Sequence, residues 1–358
     1  MIVSIFNNKG GVGKTTLLYH LGCALAELGK KILFLDLDPQ CNLTIQSLDE
    51  TEIQNIWDSE NEFIDDFKNA KDKCENFNDF SSKNHSIHFL LKPLEDGTGD
   101  DFLSSPINLA KNLDIIPGRL SLQFFESTVS QRWSDAFTGN PQAIRIVSSI
   151  RQLAERYIKE YNYDYILIDT SPSLGDLNKI SVSLSDAFFI PCSPDIFSIY
   201  GIKNIGKSLE RWVRNFDILF KLLSQTQRGL FPQKLVKLIG YTLYKAQRRA
   251  GSRNPLEIPQ AHYNHAEAIP KEIKNNIPEH LYANANVAEN IGGNSIIYTY
   301  NTFPSMSQKY HRPMWRVPNA NLDRDDAGTV TGNRLMYIET KEAYLEFAKD
   351  FMERISHV

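Results

Sequence analysis

Residues 1–38, MIVSIFNNKGGVGKTTLLYHLGCALAELGKKILFLDLD, decide the fold. The opening MIVSIF is β-branched and aromatic, the pattern of a buried strand. From Lys14 to Leu28 the apolar residues recur at helical spacing, and Gly29 stands where a helix C-terminal glycine belongs. KILFLDLD then reads as a second strand. Strand, glycine-rich loop, helix and strand in that order make a βαβ unit and imply a parallel sheet.

The same alternation continues along the chain. NLDIIPGRL reads as a short strand ending at Pro117-Gly118, and AIRIVSSIRQLAERYIKEY as a helix leading into the strand YDYILID. DAFFIPC is followed by the helix IKNIGKSLERWVRNFDILFKLL and then by the strand KLVKLIGYTLY. SIIYTY is expected to close the series of strands, and KEAYLEFAKDFMERI to form a final helix. Two stretches leave the pattern, about 49–111 and 245–293. The expectation is one α/β domain over residues 1–358, a doubly wound, mostly parallel sheet flanked by helices, with two insertions.

With 358 residues the chain can bury a sizeable core, and its 42% hydrophobic and 23% charged content is ordinary for a globular protein. The net charge of -4 means that any nucleic-acid contact must come from a local patch. Cys23, Cys41, Cys74 and Cys192 are scattered without a CxxC pair, which suits reduced thiols better than disulfides or a zinc site. No apolar run approaches the ~18 residues of a membrane span, and the N-terminus carries no export signal pattern. A cytoplasmic location is expected.

The loop NNKGGVGKTT, residues 7–16, is close to the phosphate-binding pattern G-x-x-x-x-G-K-[ST]. In such a loop, backbone N–H groups at a helix N-terminus wrap phosphates, the lysine adds charge and the hydroxyl ligates Mg²⁺. Gly13, Lys14 and Thr15 fit, but Asn8 occupies the first glycine position, and a second lysine, Lys9, precedes Gly10 and Gly11.

On these residues the sequence resembles the ParA/MinD ATPases, whose loop is K-G-G-x-G-K-[ST]. The resemblance implies a P-loop fold of that deviant type, with ATP or ADP and Mg²⁺ bound by Lys9, Gly10, Gly11, Val12, Gly13, Lys14, Thr15 and Thr16. It also implies an ATP-dependent homodimer in which Lys9 reaches the partner's nucleotide while Lys14 serves its own. A cation placed across the interface would favour pairing with ATP over ADP.

The carboxylates extend the resemblance. FLDLDPQCN is similar to the family's D-x-D-P-Q-G-N, in which the second aspartate holds the attacking water, a role this carries to Asp38. Asp36 is assigned to the Mg²⁺ shell or the loop, and Cys41 replaces the usual glycine. The strand YDYILID, ending in Asp169, resembles the Walker B site, with Thr15 as the direct Mg²⁺ ligand. Lys9, Lys14 and Asp38 are thus the expected catalytic residues, and Thr15, Asp36 and Asp169 the metal residues. The loop TSPS would be the second switch, and DAFFIPCSPDIFSIYG the passage to an interface helix.

The last segment, Glu339 to Arg354, has five acidic and three basic residues, a poor face for an anionic membrane. No cysteine pair is placed to bridge two subunits around a cluster. The remaining family role is ParA-like partition of DNA or other cargo, with an activating partner protein and nonspecific DNA. Lys245, Arg248, Arg249 and Arg253 in YKAQRRAGSR would supply the DNA contact, with Lys309, Arg312 and Arg316 as a second basic stretch. DNA binding would associate the protein with the nucleoid. With the first strand starting at Ile2, a helix-turn-helix that reads an operator is not expected. The alternative is an ATP-gated regulatory subunit whose insertions dock a dedicated protein without DNA. His262, His265 and Glu267 are set aside as a metal site, as is the incomplete calcium-loop echo from Asp323.

Overall fold

The computed structural model describes residues 1–300 and 302–358. Seven strands, β1 (Ile2–Ile5), β2 (Ile32–Leu37), β3 (Ile107–Ala110), β4 (Leu113–Ile116), β5 (Tyr165–Thr170), β6 (Ala187–Cys192) and β7 (Lys237–Leu243), form one sheet in the order β3-β4-β2-β5-β1-β6-β7. All neighbours are parallel except β3, which runs antiparallel along β4 at the edge. The sheet is therefore the expected α/β, mostly parallel one.

Alternation along the strands sorts side chains between two layers. Ile32 and Phe34 of β2 and Leu167 of β5 join the core beneath α1 (Lys14–Glu27). Leu33, Leu35, Leu37, Ile166 and Ile168 point to the opposite layer. Because β1 has β5 on one side and β6 on the other, α1 crosses over β5 to reach β2. Register then sets Asp169 opposite both Ile5 and Asp36, so the ends of β1, β2 and β5 converge at the C-terminal edge, where open α/β sheets bind ligands.

Five helices separate β2 from β3: α2 (Asn42–Ser47), α3 (Glu50–Asp65), α4 (Phe67–Lys73), α5 (Phe77–Ser81) and α6 (Ile87–Asp96). Phe63, Phe67 and Phe89 form a satellite core with Phe77, Phe80 and Phe102 packed on it. The first excursion is thus mostly helical, and its last residues return to the sheet as β3, within the stretch 49–111 expected to be an insertion.

On the face away from α1 lie α7 (Leu122–Ala136), α8 (Pro141–Tyr161), α9 (Asp176–Ser183) and α10 (Ile196–Leu222), followed by the short α11 (Gln225–Arg228). Asn140 caps α8 ahead of Pro141, and Asp195 caps α10 by accepting from the Ser198 N–H at 3.0 Å. The second excursion contains α12 (Gln260–Asn276), laid against α10. At Gly206 a side chain would collide with the carbonyl of Asn276. Then come α13 (Phe303–Lys309), α14 (Arg324–Gly332) and α15 (Arg334–Ile355), the last beside α1.

SIIYTY is not a strand. Within it the described residues show only a single bridge, from Tyr298 to Ala246. Ile296 and Ile297 are both buried but enter different cores, so the alternation is real and no ladder is needed to satisfy it.

Candidate nucleotide site

Between β1 and α1 the chain turns through Gly11 and Gly13, at φ +74° and +85°. At Gly13 a Cβ would strike the Tyr244 ring, so conformation and space both require glycine there. Asn7 roots the loop: its side chain donates to the Pro191 carbonyl at 2.6 Å and accepts from the Lys9 N–H at 2.9 Å. The sequence reading passed over Asn7, which stands outside the glycine-lysine pattern.

A cleft of about 340 Å³ opens over the start of α1. Gly10, Gly11, Gly13, Lys14, Thr15 and Thr16 line one wall, and Asp38, Gln40, Asn42 and Gln46 another. Pro172, Lys245 and Gln308 complete it. Val12 is fully buried beneath the loop. Lys14 is buried, and desolvation lowers its pKa while Asp169 and Asp38 oppose that shift.

Asp169 Oδ2 accepts from Thr15 Oγ1 at 2.6 Å, whereas its Oδ1 is buried without a partner among the described residues. Burial, with the Asp36 carboxylate nearby, pushes the Asp169 pKa well above the usual carboxylate range. An orphaned carboxylate oxygen beside a threonine hydroxyl at the foot of a phosphate loop fits Mg²⁺, whose charge would keep Asp169 ionised.

Asp36 is placed differently. Its Oδ2 accepts from the N–H and hydroxyl of Thr44, at 2.9 and 2.6 Å, and its Oδ1 from the Asp38 N–H at 3.2 Å. Thr44 in turn accepts from the Gly118 N–H at 2.7 Å. Asp36 thus ties the β2 loop to the β4 loop and does not line the cleft. Asp38 does line it. Its Oδ1 accepts from the Gln40 N–H at 3.0 Å, and Oδ2 takes no hydrogen bond among the described residues. Cys41 keeps the left-handed backbone, φ +55°, despite replacing the family's glycine.

Lys9 does not line this cleft. Its ammonium pairs with Asp195 at 2.5 Å and lies 5.4 Å from the centre of the Phe197 ring. Ile196, Phe197 and Tyr200, at the start of α10, are exposed, as are Leu120 and Phe124 around the start of α7. Both helix starts follow strand C-termini, on the same sheet edge as the phosphate loop. Asp195 was missed in the sequence because 186 residues separate it from Lys9.

The basic stretches divide. Lys245 belongs to the cleft, where its ammonium donates to the Gly11 carbonyl at 3.1 Å. Arg248 pairs with Glu257 and lies over Tyr298, while Arg249 and Arg253 are exposed. In the second stretch Lys309 meets Asp323 and Asp326, and Arg316 meets Glu27, so much of that charge is neutralised locally. No described helix is long and apolar enough to cross a membrane.

A family model described as an AAA domain matches residues 1–221. An uncharacterised protein of Methanocaldococcus jannaschii is 32% identical over 210 residues, 59% of this chain and 65% of that protein. A ParA family protein of Mycoplasma genitalium is 29% identical over 229 residues, 63% of this chain and 71% of that one. The alignments thus span about two thirds of these relatives. Among solved structures, pNOB8 ParA bound to nonspecific DNA superposes with a TM-score of 0.54 at 18% identity, covering 99% of this chain and 98% of that one, and so shares the fold. With the family model matching more than half of its length, the chain belongs to the AAA-domain family and, by its two-lysine loop and its relatives, to the ParA/MinD type of P-loop protein.

Proposed function

We propose that the chain is a Mg²⁺-dependent ATPase acting as a switch, monomeric when empty or with ADP and closed into a face-to-face homodimer with ATP. One observation carries this reading. Of two lysines on one loop, Lys14 is buried in the cleft, while Lys9 lies outside its lining beside the exposed Phe197. A lysine used only for its own chain's phosphates would point into the cleft. Lys9 is instead held at an apolar rim that a second copy would cover.

In this reading the loop from Gly10 to Thr16 holds the phosphates and Lys14 offsets their charge. Thr15 and Asp169 would hold Mg²⁺, which supplies charge neutralisation to the phosphates when bound. Asp38, with Oδ2 uncommitted, would orient the attacking water. The domain, residues 1–358, would act as one unit, with hydrolysis slow until a partner protein completes the site. A cytoplasmic location suits this role. Sizing Asp38→Ala in ATP and in ADP tests the switch: twice the monomer mass in ATP alone is expected, and a monomer in both rejects it.

Coupling to nonspecific DNA, for partition of DNA or other cargo, is the first reading of the output. A structurally similar ParA has been seen on such DNA, and Arg249 and Arg253 are exposed here. The local pairing of Arg248, Lys309 and Arg316 favours the second reading, a regulatory subunit that docks a protein. A salt series with the ATP-trapped variant separates them. The DNA reading requires affinity to fall by roughly 10³-fold over a few-fold rise in salt if six phosphates are engaged. Absence of ATP-stimulated binding selects the regulatory reading.

A further inference from the structure

A second cleft, of about 390 Å³, lies among α7, α9 and α10, just past the loop that follows Asp169. Trp133, Lys179, Arg211, Trp212 and Asn215 line it. Of these, Trp212 is buried.

Lys179 is an unusual lysine. Its side chain is only 7% exposed, and its one carboxylate neighbour, Asp176, stands 3.6 Å away. That contact is to Asp176 Oδ1, while Oδ2 accepts from Ser130 Oγ at 2.5 Å. The Lys179 ammonium also rests 3.2 Å from the centre of the Trp133 ring. Burial lowers its pKa to about 8, against the pull of Asp176, with Arg211 adding to the depression. A buried ammonium held by one carboxylate at ion-pair distance and by an indole face still has room for a further acceptor. With Arg211 the cleft carries two cations against one acid.

We propose that this cleft binds a small anion, a carboxylate or a phosphate monoester, with Lys179 and Arg211 as its charged contacts. The site is separate from the phosphate loop, and nothing in the proposed ATPase cycle uses it. Its position gives it a route to that cycle. Lys179 follows Asn178, whose amide donates to the carbonyls of Ser171 and Ser173 at 2.8 and 2.9 Å and so clamps the loop after Asp169. An anion drawing Lys179 towards it would bear on α9 and through Asn178 on that loop.

The indole beneath Lys179 supplies the readout. Protein saturated with ADP and Mg²⁺, so that the phosphate loop is filled, is titrated with phenyl phosphate, benzoate or inorganic phosphate while tryptophan emission is followed. A saturable change is expected with at least one probe, and which probes bind separates phosphate from carboxylate. Lys179→Met, which keeps the stem over Trp133, is expected to weaken binding about tenfold or more, and Arg211→Ala several-fold. ADP affinity of both variants should match the parent, which shows that they are folded. No saturable change up to about 10 mM of any probe, or the same titration in both variants as in the parent, overturns the proposal.

Discussion

Lys245 takes a φ of +66°, uncommon for a lysine, and its ammonium donates to the Gly11 carbonyl of the phosphate loop. In the sequence it stands beside Arg248, Arg249 and Arg253, and nothing in its spacing separates it from them. Its distinct place comes from a turn 234 residues after Gly11, which local pattern does not reveal. Lys245→Ala is therefore expected to weaken nucleotide binding by the monomer up to about tenfold, the worth of one charge-assisted contact. Calorimetry with ADP checks this; unchanged affinity would return Lys245 to the basic surface. Asp36 gives a similar lesson. Its strand-end position was legible, but only packing shows that Thr44 and the Asp38 backbone claim both of its oxygens.

The helix that begins at Lys14 meets the C-terminal part of the chain through Glu27, which pairs with Arg316 and Lys341, and through a buried histidine. His20 Nδ1 donates to the Thr16 carbonyl at 2.7 Å, and Nε2 accepts from the Met314 N–H at 3.1 Å. Stacked on Tyr344, it is fully buried, and burial lowers its pKa from 6.5 to about 4. The unfolded chain therefore takes up a proton at higher pH than the fold does, and stability should fall as pH drops from about 6.5 towards 4. The full effect of His20 is on the order of 3 kcal/mol. Denaturation midpoints of the parent and His20→Gln should diverge at pH 7 and converge towards pH 4; parallel curves would contradict this. In the first insertion, Glu60 is fully buried and accepts from Ser86 and Arg119, linking α3 to the loop that starts α7. Arg119→Ala, which leaves that carboxylate with Ser86 and His85 but without its arginine, is expected to cost about 1.5–3 kcal/mol. A denaturant midpoint near the parent's would show that the network is dispensable. The main strands and α1 were legible because burial on both sheet faces leaves continuous apolar runs, and a helix leaves a 3.6-residue period. β3 was not, since it is a short, half-exposed edge strand. The phenylalanine core of the insertion was hidden because its members come from four separate helices and a loop.

Across the molecule, the sheet order does the assembling. With β5 between β1 and β2, the phosphate loop, Asp38 and Asp169 meet at one edge, and the motifs that carry them are legible in the sequence. The Lys9–Asp195 pair lies beyond such a reading, since it joins that loop to the cap of α10. In the single chain Lys9 is held by Asp195 beside uncovered apolar residues, an arrangement that suits a lysine used by a second copy. ATP-dependent pairing rests on that use. Light scattering of Lys9→Ala, in the Asp38→Ala background with ATP and Mg²⁺, tests it most directly, with nucleotide affinity measured alongside. ATP binding within a few-fold of the parent is expected, with a monomer at every protein concentration at which the parent pairs. An ATP-dependent dimer that persists without the Lys9 side chain would contradict it.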